Sequence, residues 1–126
     1  MNLFDYKVLN KDEIMHVIDN SEYVQFAVSE NDQPYVIPMC FKYKIKEDKL
    51  IFKLYGKPYG TKRNCIEKNS KVCLGFERET WEGIESAIIL GEAKIINDEN
   101  KLYTKLEEIE IITKKMTGRK YFYYKN

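Results

Sequence analysis

The chain has 126 residues, of which 44% are hydrophobic and 33% charged, and its 21 basic and 20 acidic side chains leave a net charge of +1. That length fits one domain able to bury roughly two thirds of its unfolded surface without metal or disulfide staples, and the charge gives no bulk attraction to nucleic acid or anionic membrane. Cys40, Cys65 and Cys73 form no C-x-x-C pair and His16 is the only histidine, so no metal site is expected and the thiols read as free core or boundary groups.

The N-terminus lacks a basic stretch followed by an apolar one, and no run reaches the length of a membrane span. A soluble, cytoplasmic protein is the expectation. In chain order, Asn10 and Glu13 make a capping pattern that opens a helix to about Asp19, with Ile14, Val17 and Ile18 on one face. A strand follows from Glu22 to Ser29, in which Val24, Phe26 and Val28 alternate with Tyr23, Gln25 and Ala27. Residues Glu30 to Gln33 turn the chain into a longer strand, Tyr35 to Ile45. Its second half places Phe41, Tyr43 and Ile45 on one face and Lys42, Lys44 and Lys46 on the other.

Glu47 to Lys49 lead into a third strand, Leu50 to Tyr55. A glycine-flanked loop then opens a short helix, Thr61 to Lys68. A fourth strand, Lys71 to Glu79, and a fifth, Ile84 to Ile96, come next, and Gly91 within the fifth signals a bulge or a close backbone approach. The pattern then predicts a helix from Asp98 with Leu102, Leu106, Ile109 and Met116 along one side, ended by Thr117-Gly118, and a short last strand from Arg119 to Lys125. Five or six antiparallel strands with short connections imply a closed or nearly closed barrel, because parallel strands need long crossovers.

Two places could hold chemistry. Gly60-Thr61-Lys62-Arg63 stands at a helix start, where unpaired N–H groups and the positive end of the dipole favour an anion. From that pattern alone an ordinary helix start with two solvated cations is the commoner reading. Pro38, inside a strand, donates no ladder hydrogen bond and so marks an edge, a bulge or an opening in a sheet. An opening there would leave the backbone of Ile37, Met39 and Cys40 to meet a flat polar ring. A protected edge strand explains the proline equally well.

Several segments, taken together and in order, resemble a known family. Gln33 to Met39 is similar to the G-x-P-x-x-x-P strand of FMN-binding split barrels, and Leu50-Ile51-Phe52 to their next strand. Gly60-Thr61-Lys62 with Ile66, Asn69 and Val72 resembles their G-x-K-x-x-x-I-x-x-N-x-x-V passage, and Ala87 to Ala93 their V-x-x-x-G-x-A strand. The family is that of the pyridoxamine 5'-phosphate oxidase-like proteins, and the likeness is greatest to its Nim-type (nitroimidazole-resistance) subgroup.

The resemblance implies a mainly β fold, a six-stranded antiparallel Greek-key split barrel that binds FMN at a homodimer interface. By the same resemblance Lys62, helped by Thr61, would pair with the FMN phosphate. Ile37, Pro38 and Met39 would line the isoalloxazine through backbone atoms, Lys53 and Leu54 would lie beside it, and Ser86 would meet it from a neighbouring strand. Trp81 and Tyr59 are candidate covering aromatics.

The function implied is an FMN-dependent oxidoreductase acting on a small molecule, nitro compounds among the candidates, with NAD(P)H as a candidate electron donor. No catalytic residue can be named. The tail Tyr121 to Asn126 lacks the arginine/histidine segment of vitamin B6 oxidases, so pyridoxamine-phosphate oxidation is not expected. Rival readings are a flavin- or haem-binding barrel without turnover and, less favoured, an OB-like binder of single-stranded nucleic acid. The alternation that separates Lys from aromatic residues in Phe41 to Tyr55 weighs against the last.

Overall fold

The computed structural model describes residues 3–57, 61–96 and 106–123. Asn10 caps the first helix, α1 (Lys11–Asp19), through the predicted box: its side chain accepts from the Glu13 N–H at 2.8 Å, and the Glu13 carboxylate accepts from the Asn10 N–H at 3.0 Å. Each bond satisfies a donor that the helix start would otherwise leave unpaired. Before it runs a strand the periodicity did not signal, β1 (Leu3–Val8).

Strands β2 (Val24–Glu30), β3 (Gln33–Lys46) and β4 (Lys49–Gly56) form the predicted meander. Their two turns are tight, with Asn31 and Asp32 at φ 49° and 64° and Glu47 and Asp48 at φ 52° and 62°. Paired positive φ values match the right-handed twist of the flanking strands and give a hairpin its shortest connection. The strands therefore reach closer to the turn than the polar stretches Glu30 to Gln33 and Glu47 to Lys49 suggested.

Helix α2 (Thr61–Lys68) carries the chain over to β5 (Lys71–Thr80), which pairs with β2 rather than with β4. Three hairpin-connected strands with a fourth returned beside the first make a Greek key. β6 (Gly83–Ile96) and β7 (Glu107–Tyr123) complete the sheet in the order β1-β7-β4-β3-β2-β5-β6, and a further β7–β6 pairing closes β2 to β7 into a six-stranded antiparallel barrel. No helix among the described residues is long and apolar enough to cross a membrane.

β7 corrects the reading of the C-terminal region. The predicted helix from Asp98 is, from Glu107 onward, the first half of this strand; residues 97–105 lie outside those described. Ile109 and Met116 fit a helical spacing, but Ile109 and Ile111 alternate into the core at 0% exposure. The segment holds Ile109, Ile111, Ile112 and Thr113, residues whose branched Cβ favours a pleated surface. Two strand edges, from β4 and β6, were available to pair with it.

The core is the inward face of these strands. Phe26, Phe52, Phe76, Leu54, Leu74, Ile89, Ile109 and Ile111 are fully buried, and Phe41 meets Phe76 edge-on with ring centroids 5.0 Å apart. Ile14, Val17 and Ile18 of α1 and Cys65 and Ile66 of α2 are buried against this core. At Gly91 the β6–β7 register shifts, so that Leu90 faces Lys115 and Gly91 faces Thr113. A Cβ on Gly91 would stand 2.7 Å from the Ile112 carbonyl oxygen, the close backbone approach the glycine signalled.

Candidate functional site

The barrel is split along β3. Residues 33–39 pair with β2, whereas β4 takes up the strand only from Cys40, opposite Tyr55. Toward β4, the first half of β3 thus presents an edge without a strand partner among the described residues. Pro34 and Pro38 face Ser29 and Gln25, and Val36 between them faces Ala27. Hydrogen-bonded and non-hydrogen-bonded pairs alternate along an antiparallel ladder. Proline has no N–H, so both prolines must occupy the non-bonded pairs. The open edge therefore carries the N–H and C=O of Val36 and the carbonyls of Pro34 and Pro38.

The register also assigns the backbone groups of the expected residues. The backbones of Ile37 and Met39 turn toward β2, and of the three residues expected to offer backbone groups, Pro38 alone offers its carbonyl. Cys40 shares the parity of Pro38, but its backbone is taken by β4.

Beside the split, three elements converge. β4 ends at Gly56, next to Met39 of β3 and Lys62 of α2. A Cβ on Gly56 would lie 2.7 Å from Met39 Cε and 3.6 Å from Lys62 Nζ, so the glycine leaves room for both side chains. Lys62 is 7% exposed, and its ammonium donates to the Lys57 carbonyl. The first turn of α2 contains no acidic residue. Two cations in that turn, Lys62 and Arg63, oppose the helix dipole unless an anion or a carboxylate balances them.

For Arg63 the balance comes from the protein. Its Nη1 donates to Glu107 Oε2 at 2.5 Å and its Nε to Glu67 Oε1 at 3.2 Å. The Glu107 carboxylate, first by its charge and then by its hydrogen bond, holds the guanidinium above its usual pKa. Glu107 faces Gly56 across β4 and β7, its side chain is 3% exposed, and its Oε1 has no hydrogen-bond partner among the described residues. The neighbouring Glu108, on the opposite face, pairs with Lys53 at 3.6 Å.

Of the residues expected at the site, Met39 and Lys62 are brought together, and Pro38 adjoins them on the open edge. Thr61 begins α2, with its side chain outside what is described. Lys53 is half-buried beside Glu108, facing away from the barrel interior. Leu54 is 0% exposed and its side chain is part of the core, because Phe52, Leu54 and Gly56 share the inward face. Ser86 is on β6, separated from β3 by β5 and β2 in the sheet order, and pairs with Glu77 and Arg119.

Trp81 stands at the β5–β6 turn, 79% exposed, and Tyr59 lies outside the described residues. Among the thiols Cys65 is buried and Cys73 half-buried, where burial raises both above the usual thiol pKa; Cys40 is exposed, not a core group. His16 is on the surface of α1, its Nε2 accepting from Arg78 Nη1 at 2.6 Å. Phe41 and Tyr43 pack against the core while Lys42 and Lys44 are exposed, so the stacking surface of a single-strand binder is not formed there. Among the described residues no cluster of His, Cys, Asp and Glu could hold a metal ion.

Sequence reasoning missed Val36, Gly56 and Glu107. The four-residue spacing of Pro34 and Pro38 could have pointed to Val36; nothing local marks Glu107, whose partners are far away in the chain.

The strand order and this split define an antiparallel six-stranded split barrel. Solved structures share it. A 5-nitroimidazole antibiotic resistance protein from Bacteroides thetaiotaomicron superposes with a TM-score of 0.77 at 20% identity, over 96% of this chain and 93% of that one. An FAD-binding protein from Mesorhizobium loti gives 0.76 at 16% identity, over 92% and 98%. An FAD-binding protein from Mycobacterium smegmatis gives 0.68 at 16%, over 92% and 99%. No protein-family profile and no curated protein sequence matches the chain.

Proposed function

We propose that the protein binds FMN at the split of the barrel, between two copies of the chain, and acts as an oxidoreductase on a small molecule. The observation that carries this reading is the meeting of an anion-favouring helix start and Lys62 with an unpaired strand edge. A flavin phosphate suits the first, since backbone N–H groups and one cation can share its charge. The ring suits the second: its pyrimidine side alternates carbonyl oxygens with an N–H, and the edge at Val36 alternates an N–H with carbonyls. Two similar structures are of FAD-binding proteins, which supports a flavin; the single phosphate that Lys62 would meet favours FMN.

The homodimer rests on the outward face of the barrel. Val36, Ala27, Cys73 and Leu90 follow one another across β3, β2, β5 and β6, with Pro38, Gln25, Gly75 and Ile88 in the next row. Val36, Ile88 and Leu90 are 63%, 38% and 45% exposed. An open cavity of about 440 Å³ on this face is lined by Ala27, Ser29, Cys73, Leu90, Gly91 and Lys114, among others. An exposed apolar row of that length supports an interface between subunits. The barrel interior is filled by its own side chains, so a bound ring lies outside it and needs a second surface to leave water.

FMN, when bound, supplies hydride or electron transfer. The chain's residues hold the phosphate at Lys62, orient the ring along the β3 edge and exclude water at the covered face. The absorbance spectrum of the purified protein tests this reading: flavin bands, or their appearance on titration with FMN, are expected, and a colourless protein that takes up none overturns it. Bleaching of bound flavin by NADH or NADPH, followed by reoxidation in air, distinguishes an enzyme from a carrier.

A further inference from the structure

Arg63 occupies the same helical turn as Lys62, and a helical side chain leans toward the N-terminus of its helix. It would add a second cation to any dianion held there. Its guanidinium is instead bound by Glu107 at 2.5 Å and by Glu67 at 3.2 Å. Glu107 reaches it from β7 with its side chain 97% buried, and the other carboxylate oxygen has no donor among the described residues. Burying a carboxylate with one oxygen unsatisfied carries a desolvation cost. Glu107 stands opposite Gly56, the residue over which Lys62 passes. The carboxylate and the proposed phosphate-binding ammonium thus enter the same end of the barrel.

We propose that Glu107 is a specificity-determining residue for the flavin phosphate, which withdraws Arg63 from the anion and so sets how far binding depends on that phosphate. The proposal rests on the flavin reading above. It assigns phosphate recognition to Lys62 and the α2 backbone, and to Arg63 the task of tying α2 to β7.

Binding of FMN and of riboflavin, which lacks the phosphate, measured side by side on the full chain, tests it. Glu107→Gln removes the buried charge that draws Arg63 toward β7 and leaves the weaker hold of Glu67, and the expected result is FMN binding tighter by about tenfold with riboflavin changed by less than about twofold, one charge-assisted hydrogen bond being gained. Arg63→Met in the native background is expected to leave FMN affinity within about twofold, and in the Glu107→Gln background to abolish the gain. Two results overturn the proposal: a loss of about tenfold or more for FMN alone in Arg63→Met, or equal changes for FMN and riboflavin in Glu107→Gln. If Glu107→Gln does not fold, Arg63→Met alone decides by the same measure. A native chain that binds neither ligand refutes the flavin reading itself, whereas a native chain that binds FMN with an unaltered FMN-to-riboflavin ratio in Glu107→Gln refutes only the role of Glu107.

Discussion

Lys62 passes over Gly56: its Nζ lies 3.6 Å from the point where a Cβ on that glycine would stand, and it donates to the Lys57 carbonyl. The ammonium is thereby held at the mouth of the barrel and not in bulk solvent, where screening would weaken its pull on an anion. Lys62→Ala is expected to weaken FMN binding by about 10- to 100-fold, the equivalent of one charge-assisted hydrogen bond. Riboflavin affinity should move much less. Fluorescence titration checks both, and an unchanged FMN dissociation constant would remove Lys62 from the site.

The exposed row on the outer face leads to a second prediction. Leu90 stands 45% exposed beside Cys73 and Ala27, and a charge placed there would have to be desolvated in a dimer. Leu90→Glu is expected to give the mass of a single chain by light scattering, with the native chain giving twice that. Because the position is open in the monomer, thermal stability at high dilution should change little.

Gly91 lies against both the backbone and a core side chain of β7. A Cβ there would stand 2.7 Å from both the Ile112 carbonyl oxygen and Ile111 Cγ2, and neither can move without disturbing the β6–β7 ladder. Gly91→Ala is expected to destabilise the fold by about 1–3 kcal/mol in chemical denaturation, as overpacking of a filled interior does.

The capping box predicts an acid response. The Glu13 carboxyl is held below its ordinary value of 4.5 by the hydrogen bond from Lys7 and then by the Asn10 backbone N–H. A depressed native pKa adds stability that is present above the unfolded value and is lost as pH falls through the native one. Urea midpoints measured from about pH 6 to about pH 3 should therefore fall less steeply in Glu13→Gln than in the native chain, the difference opening below pH 4.5. Asn10→Ala, which removes the other half of the box, is expected to cost about 1 kcal/mol at all these pH values.

Much of this was written in the chain. The Asn10–Glu13 box, the alternation of Val24, Phe26 and Val28, the start of α2 at Thr61 and the approach at Gly91 depend on neighbours within a few residues. Period and capping are local properties, and local chemistry decided them. The Greek-key barrel followed from strand count and short connections together with the resemblance.

What lay beyond the sequence had partners distant along it. Glu107 to Ile112 could be helix or strand until the edges of β4 and β6 offered ladders on both sides. Leu54 and Lys53 could each have faced a ligand until closure of the barrel fixed which face was interior. Arg63 and Glu107 are brought together only when α2 is set against the end of β7. Backbone propensity acts over one or two turns of chain, whereas burial and charge pairing act through space, so the carboxylates that hold Arg63 were decided by the tertiary structure alone.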